Sequence, residues 1–359
     1  MTGDTSSGQT SSNGPGQTNV APDAGGPGLP PGRRYGMTIP FDGVPLADQG
    51  DWIRELADLG YTDVWSSEAN GSDAFTPLAL ASVWAPSLRL GSAIVPAYTR
   101  GPALLAQSVA ALSDAAPGRV AFGIGTSSNV IVERWNGIEF DEPYRQVKDM
   151  VSFIRGALAG EKMTGEFGNS TVSGFKLGLR PAQQPAILIA ALREGMLKLA
   201  GRHGDGAIVN WLSAEDVSTV APIVQKAGGG TSTNPTREVV ARIFVAPSID
   251  REVVLNAGRF AIASYLNVPV YAAFHDWMGR GEELAEMWRL WKEGDRQGAL
   301  GAIPDSLVDE LIISGTPEEC REHIQRYVDN GVTTPALAIL PFGYDVDQYR
   351  QAIRDLAPR

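Results

Sequence analysis

Eight short apolar runs separated by helical patterns constrain this chain more than any other feature. They begin near Tyr35 (YGMTIP), Asp63 (DVWSSE), Leu88 (LRLGSAIVP), Arg119 (RVAFGIG), Ala186 (AILIAA), Gly206 (GAIVNW), Glu238 (EVVARIFVA) and Ala336 (ALAILPF). Most are continuous rather than alternating, the pattern of parallel strands buried on both faces. Residues 46–59 place Trp52, Ile53, Leu56 and Leu59 on one helical face. Residues 102–115 open on a proline suited to a first helical turn and stop before Pro117-Gly118. Eight strands alternating with helices predict an α/β fold, a (β/α)8 TIM barrel, with a doubly wound sheet as the competitor.

The strand starts lie 28, 25, 31, 67, 20, 32 and 98 residues apart, whereas a plain unit takes roughly 30. The barrel is therefore expected to carry a small insertion after strand 4 and a helical insertion after strand 7. The first holds a helix near 143–158 and a stretch, GEFGNSTVSGFKLGLRP, that reads as a hairpin. The second, 251–310, contains Tyr265, Tyr271, Phe274, Trp277, Met278, Trp288 and Trp291. Those aromatics suit a satellite core, a dimer contact or a pocket wall, because barrel enzymes build their sites at the C-terminal strand ends. Residues 1–34 are of another kind: 21 of the 34 are Gly, Pro, Ser or Thr. Such a segment cannot offset its ordering entropy by burial. It is read as a disordered tail ahead of a barrel domain at 35–359. With no basic start and no apolar stretch, the tail is not expected to be a secretory signal.

Composition removes several classes of function. A net charge of −11 argues against general nucleic-acid binding. No run of about 18 apolar residues suggests a membrane span. The single cysteine, Cys320, and the scattered His203, His275 and His323 suggest no metal site. A cytoplasmic enzyme acting on a small molecule is the expected class.

The familiar catalytic motifs are missing: no G-x-S-x-G elbow, no H-E-x-x-H and no Walker A loop. Gly123-Ile124-Gly125 lacks the third glycine of a dinucleotide fingerprint, and Asn129-Val130-Ile131-Val132 does not clearly open a helix. Four other segments carry chemistry. Gly125, Thr126, Ser127 and Ser128 end the fourth strand with small residues and hydroxyls, which let a flat ligand approach the backbone. Gly91, Ser92 and Ala93 are small residues inside an apolar strand, which marks a bulge or a close approach. Leu192, Arg193, Gly195 and Met196 lie where the fifth strand meets its helix, and free amides there suit a phosphate. Ser66, Ser67, Glu68 and Asn70 end the second strand with polar groups, either a ligand edge or a helix cap. Thr316, Pro317 and Glu319 read only as a helix start.

These segments, in this order, resemble the bacterial luciferase-like superfamily and most closely its actinobacterial branch of F420-dependent oxidoreductases. The stretches that carry the resemblance are RLGSAIVPAYTRGPALLAQ, GRVAFGIGTSSNVIVERWNG, ILIAALREGMLKLAGRHGDGAIVNW and ISGTPEE. The resemblance implies a barrel that binds the deazaflavin coenzyme F420 at its mouth, and a homodimer. It implies a non-prolyl cis peptide joining Ala93 to Ile94 behind the cofactor ring. Ser67 and Glu68 then match positions at the ring's edge. Gly125, Thr126 and Ser127 match a pocket wall, and Leu192, Arg193, Gly195 and Met196 match the phosphate-holding turn. Arg193, Lys198 and Arg202 are expected to face the cofactor's acidic end. Ala69 and Ser128 stand where the sugar-phosphate dehydrogenase branch has a histidine and a glutamate, so that activity is not implied. Glu68 and Ser128 are the catalytic candidates for proton handling. The expected function is hydride transfer between F420 and a small organic substrate. The alternatives are an FMN-dependent monooxygenase of the same superfamily and a non-catalytic ligand-binding barrel.

Overall fold

The ring of strands closes on itself. A computed structural model of the chain describes residues 34–231 and 235–358. Its barrel strands are Gly36–Ile39, Asp63–Ser66, Arg89–Ser92, Val120–Gly125, Ala186–Ala190, Gly206–Asn210, Glu238–Pro247 and Thr334–Ile339, called the first to the eighth below. All pair in parallel with their neighbours, and the eighth pairs with both the seventh (Val240 opposite Thr334) and the first (Gly36 opposite Ala336). The predicted doubly wound competitor is thereby excluded. The expected tail lies outside the described residues except for Arg34, whose Nη1 stands 3.5 Å from an Asp63 carboxylate oxygen.

Trp65, Ala121, Leu188, Ile208, Val240 and Ala336 fill the barrel's interior. The Trp65 ring fits there because its neighbours have no side chain. A Cβ on Gly91 would lie 2.2 Å from the ring, and one on Gly36 2.6 Å from it. Of the two sequence readings of Gly91, a bulge or a close approach, the close approach is the one found, with the Trp65 ring against its backbone. Below this layer, Arg89 donates to both Glu238 oxygens at 2.7 and 2.8 Å, and Thr334 Oγ1 donates to Glu238 Oε1 at 2.7 Å. Asp63 joins at 3.4 Å. This buried ionic plug seals the N-terminal end and leaves the C-terminal end as the approach for a ligand.

The helices cover the outside as their patterns predict. Pro102–Ala115 starts on its proline, and capping boxes open Ala214–Ala227 (Ser213 with Asp216) and Pro317–Asp329 (Thr316 with Glu319). The insertion after the fourth strand holds helix Pro143–Ala159 and an antiparallel hairpin of Lys162–Phe167 with Ser170–Lys176. The hairpin begins ahead of the Gly-rich stretch that suggested it. The insertion after the seventh strand contains helices Arg251–Leu266, Pro269–His275, Gly281–Glu293, Arg296–Gly301 and Asp305–Leu311. It ends in a strand that the pattern did not reveal, Ile312–Gly315, which pairs with the overhanging end of the seventh strand from Phe244 to Pro247. No helix among the described residues is long and apolar enough to cross a membrane.

Candidate active site at the barrel mouth

The third strand supplies the first wall of the mouth. It reads as one run in sequence, but it leaves its ladder after Ser92 and resumes at Val95–Pro96, opposite Ile124 and Gly125. Between these halves the Ala93–Ile94 peptide is cis, as the resemblance implied. Ala93 N–H donates to Ser66 O at 2.7 Å, and Ile94 O accepts from Glu68 N–H at 3.1 Å. The buried Ser92 hydroxyl accepts from Gly123 N–H at 2.8 Å and donates to Gly123 O at 3.0 Å, which ties the bulge to the fourth strand. Gly125 completes the wall. A Cβ there would lie 2.7 Å from that of Ala190 and 3.3 Å from the Ile94 side chain.

Beside this wall, Glu68 Oε1 accepts from Arg100 at 3.0 Å, and Arg100 also lies 3.7 Å from Asp73 and 5.1 Å from the Phe75 ring centre. Glu68 Oε2 is buried without a hydrogen-bond partner. On the fourth strand's exit, Ser127 takes a left-handed conformation at φ 62°. Ser128 Oγ accepts from Ile131 N–H at 3.4 Å and so opens a π-helical turn, Val130–Trp135. The sequence reading saw no clear helix start here. The turn nonetheless forms, with Asn129 at its start.

The fifth strand's exit forms an open helix start. Arg193 is the N-cap of Glu194–His203 and is extended, but its side chain makes no capping hydrogen bond. A Cβ on Gly195 would meet nothing within 4 Å. The expected basic trio does not assemble there. Lys198 is paired with Glu194 at 2.5 Å. Arg202 sits in the last turn of the helix, about 12 Å along the axis from its start at 1.5 Å per residue. Arg193 alone remains at the turn, exposed to solvent.

The opposite side is built by side chains. Val240 packs in the barrel interior, so Arg242, two residues on, shares its inward face. Arg242 lies in register with Asn210 and stacks 5.0 Å from the Phe244 ring centre. Asn210 Oδ1 accepts from Trp211 N–H at 3.0 Å, and its Nδ2 donates to the Tyr271 hydroxyl at 3.3 Å. The Trp211 ring lies 4.1 Å from Phe244 and 4.8 Å from Tyr265. His275 Nε2 bonds Trp211 O at 3.0 Å, and burial, aided by Arg280, drives its imidazole down to about 4. Burial pushes the Tyr271 hydroxyl up to about 12. Trp288, Trp291 and Tyr271 belong to or pack on a second apolar cluster, whereas Phe274 and Met278 join the main core. The insertion thus carries a satellite core, and its Tyr271 reaches Asn210 at the mouth.

A family model described as luciferase-like monooxygenase matches residues 23–334. The chain belongs to the luciferase-like monooxygenase family. The match begins ahead of Tyr35, where the sequence suggested the domain starts. Among its relatives, a 5,10-methylenetetrahydromethanopterin reductase of Methanolobus tindarius is 28% identical over 82% of this chain and 90% of that one. The coenzyme F420-dependent tetrahydromethanopterin reductase of Methanopyrus kandleri shares the fold with a TM-score of 0.73 at 20% identity, over 90% of this chain and 97% of its own. An F420-dependent secondary alcohol dehydrogenase, in complex with an F420-acetone adduct, superposes with a TM-score of 0.71 at 16% identity, over 90% and 99% of the two chains.

In this luciferase-like barrel, the structure brings Ser67, Glu68, Ala93, Ile94 and Gly125 into one wall. Thr126, Ser127 and Ser128 follow on the next turn, and Leu192, Arg193, Gly195 and Met196 lie on the turn beyond it. The sequence reading missed Asn210 and Arg242, and it named Tyr271 only among seven insertion residues that suit a satellite core, a dimer contact or a pocket wall. An arginine inside the apolar run EVVARIFVA, two residues past an inward valine, was the clue to one of them.

Proposed function

We propose that this protein is an F420-dependent oxidoreductase acting on a small organic substrate, with the 35–359 barrel as its working unit. The observation that carries the reading is the flat wall of Ala93, Ile94 and Gly125, where a side chain on Gly125 would collide with its neighbours. Such a surface fits a planar ring, and the open amides at Glu194–Met196 fit a phosphate. When bound there, the deazaflavin would supply or accept the hydride. Ser67, Thr126 and Ser127 border the wall and offer hydroxyls. Leu192, Arg193, Gly195 and Met196 hold the phosphate end, with backbone amides dominant. Glu68 Oε2, buried and unpartnered, can hold a proton or accept a hydrogen bond from the reacting pair. The Ser128 hydroxyl accepts from the Ile131 amide and keeps its own proton to donate.

Titration of the purified protein with F420 and with FMN tests this. F420 is expected to bind and FMN to bind far more weakly. Tight FMN binding without F420 binding would replace the reading with an FMN-dependent monooxygenase, in line with the family's description. Binding of neither favours a non-catalytic barrel. A homodimer in the cytoplasm accompanies the proposal, and sedimentation and cell fractionation check it.

A further inference from the structure

The sixth and seventh strands carry a donor cluster apart from the wall and the phosphate turn assigned above. Among the described residues, Arg89, Arg100 and Arg280 are three inward arginines that each meet a carboxylate at 3.0 Å or closer. Arg242 has no such partner among the described residues, and its Nε is buried without a hydrogen bond. Phe244 holds the guanidinium from one side at 5.0 Å. Arg242 is half-buried, so an anion that reaches it meets a partly desolvated cation with no carboxylate of its own.

Its neighbours are donors too. Asn210 Oδ1 is taken by Trp211 N–H, which orients the amide so that Nδ2 points to Tyr271. The Tyr271 oxygen therefore accepts from Asn210, and its own proton is left to donate. Guanidinium, amide N–H and phenol O–H together match an oxyanion, and the guanidinium fork suits a carboxylate or phosphate in bidentate fashion. A neutral or cationic group would leave the arginine unmet.

We propose that Arg242, with Asn210 and Tyr271, is the oxyanion subsite of the substrate, so that the molecule oxidised or reduced here carries a carboxylate or phosphate. The proposal rests on the oxidoreductase reading and gives it a substrate class. Calorimetric titration of the full-length protein with acetate, inorganic phosphate and neutral acetamide, with and without bound F420, tests it. Wild type is expected to bind the anions but not acetamide, and F420 is expected not to compete. Arg242→Gln should lose about tenfold or more of the anion affinity, as for a charged hydrogen bond. Arg242→Lys should regain part of it, and Tyr271→Phe should show a smaller loss. F420 affinity should change less than about twofold in all three.

Anion binding by Arg242→Gln equal to wild type overturns the proposal. So does an F420 affinity that falls in step with anion competition, because the cluster would then hold an acidic group of the cofactor. A protein that binds the anions through Arg242 but never F420 supports the subsite while it defeats the oxidoreductase reading.

Discussion

The two sides of the mouth are built by opposite means. On the second to fifth strands, the surface is backbone and small residues: Ala93, Ile94, Gly125 and Ala190 pack edge to edge, joined by bonds between neighbouring strands. On the sixth and seventh strands it is made of long side chains. Their partners come from the insertion, with Tyr271 sixty-one residues from Asn210 and His275 sixty-four from Trp211. A wall for a planar ring requires that side chains be kept away, and a sheet can do that locally. A surface that selects one substrate requires donors at fixed points, and here a separate apolar cluster carries one of them. The second side can therefore loosen while the barrel and its first side stay intact.

Trp211→Ala is the strongest way to break that comparison. It removes a fully buried ring from between Phe244 and Tyr265, a loss of about 3–5 kcal/mol for a large aromatic. The insertion should open first, and limited proteolysis should cut within 251–311 before it cuts the barrel. F420 affinity should hold within about twofold. Parallel loss of F420 binding would show that the two sides act as one cooperative unit.

Acid should separate the sides more gently. His275 titrates near 4 in the fold because of its burial, against an ordinary value of 6.5. Between those values the unfolded chain takes up a proton that the native imidazole refuses. Stability from this group is therefore complete above about 6.5 and is lost as pH falls toward about 4, by up to about 1.4 kcal/mol per pH unit. Urea midpoints measured from pH 7 to 4 should fall in wild type and flatten in His275→Gln. His323, also lowered to about 4 by burial, lies on helix Pro317–Asp329, outside residues 251–311. His323→Gln should flatten the global curve without slowing acid-induced proteolysis at 251–311. The same slope in wild type and His275→Gln would remove the acid sensitivity assigned to the insertion.

What was legible in the sequence follows the same division. The eight strands, both insertions and the small-residue wall depend on local pattern, and local pattern is what a sequence displays. The strand Ile312–Gly315 escaped because helix Asp305–Leu311 runs straight into it, and only the overhang of the seventh strand gives it a partner. Arg202 was misplaced because closeness in sequence was taken for closeness in space, although two helical turns carry it away from the phosphate turn. Lys198 is held by Glu194, one helical turn before it, rather than facing the phosphate turn. Asn210 and Arg242 meet through the register of neighbouring strands, and Tyr271 joins them only once the insertion folds back over the mouth. Neither spacing nor composition encodes that contact.

The smallest expected effect probes the first side. Arg193→Glu changes the charge at the open helix start, but the side chain is exposed and makes no cap. The backbone amides that do most of the binding there stay in place. A charge of this kind near a helix terminus contributes about 0.3–1 kcal/mol, so F420 affinity should weaken about two- to fivefold. The deficit should shrink as salt rises, because an exposed charge is screened within about 10 Å at 0.1 M. Titrations of wild type and variant at low and high salt measure both points. An unchanged affinity at low salt would move the phosphate away from this turn. With Lys198 already paired to Glu194 and Arg202 at the far end of the helix, Arg242 is, among the described residues, a guanidinium at the mouth without a carboxylate partner. Failure of this prediction would therefore blur the division of labour between the two sides, because the cofactor would then compete for the donors assigned to the substrate.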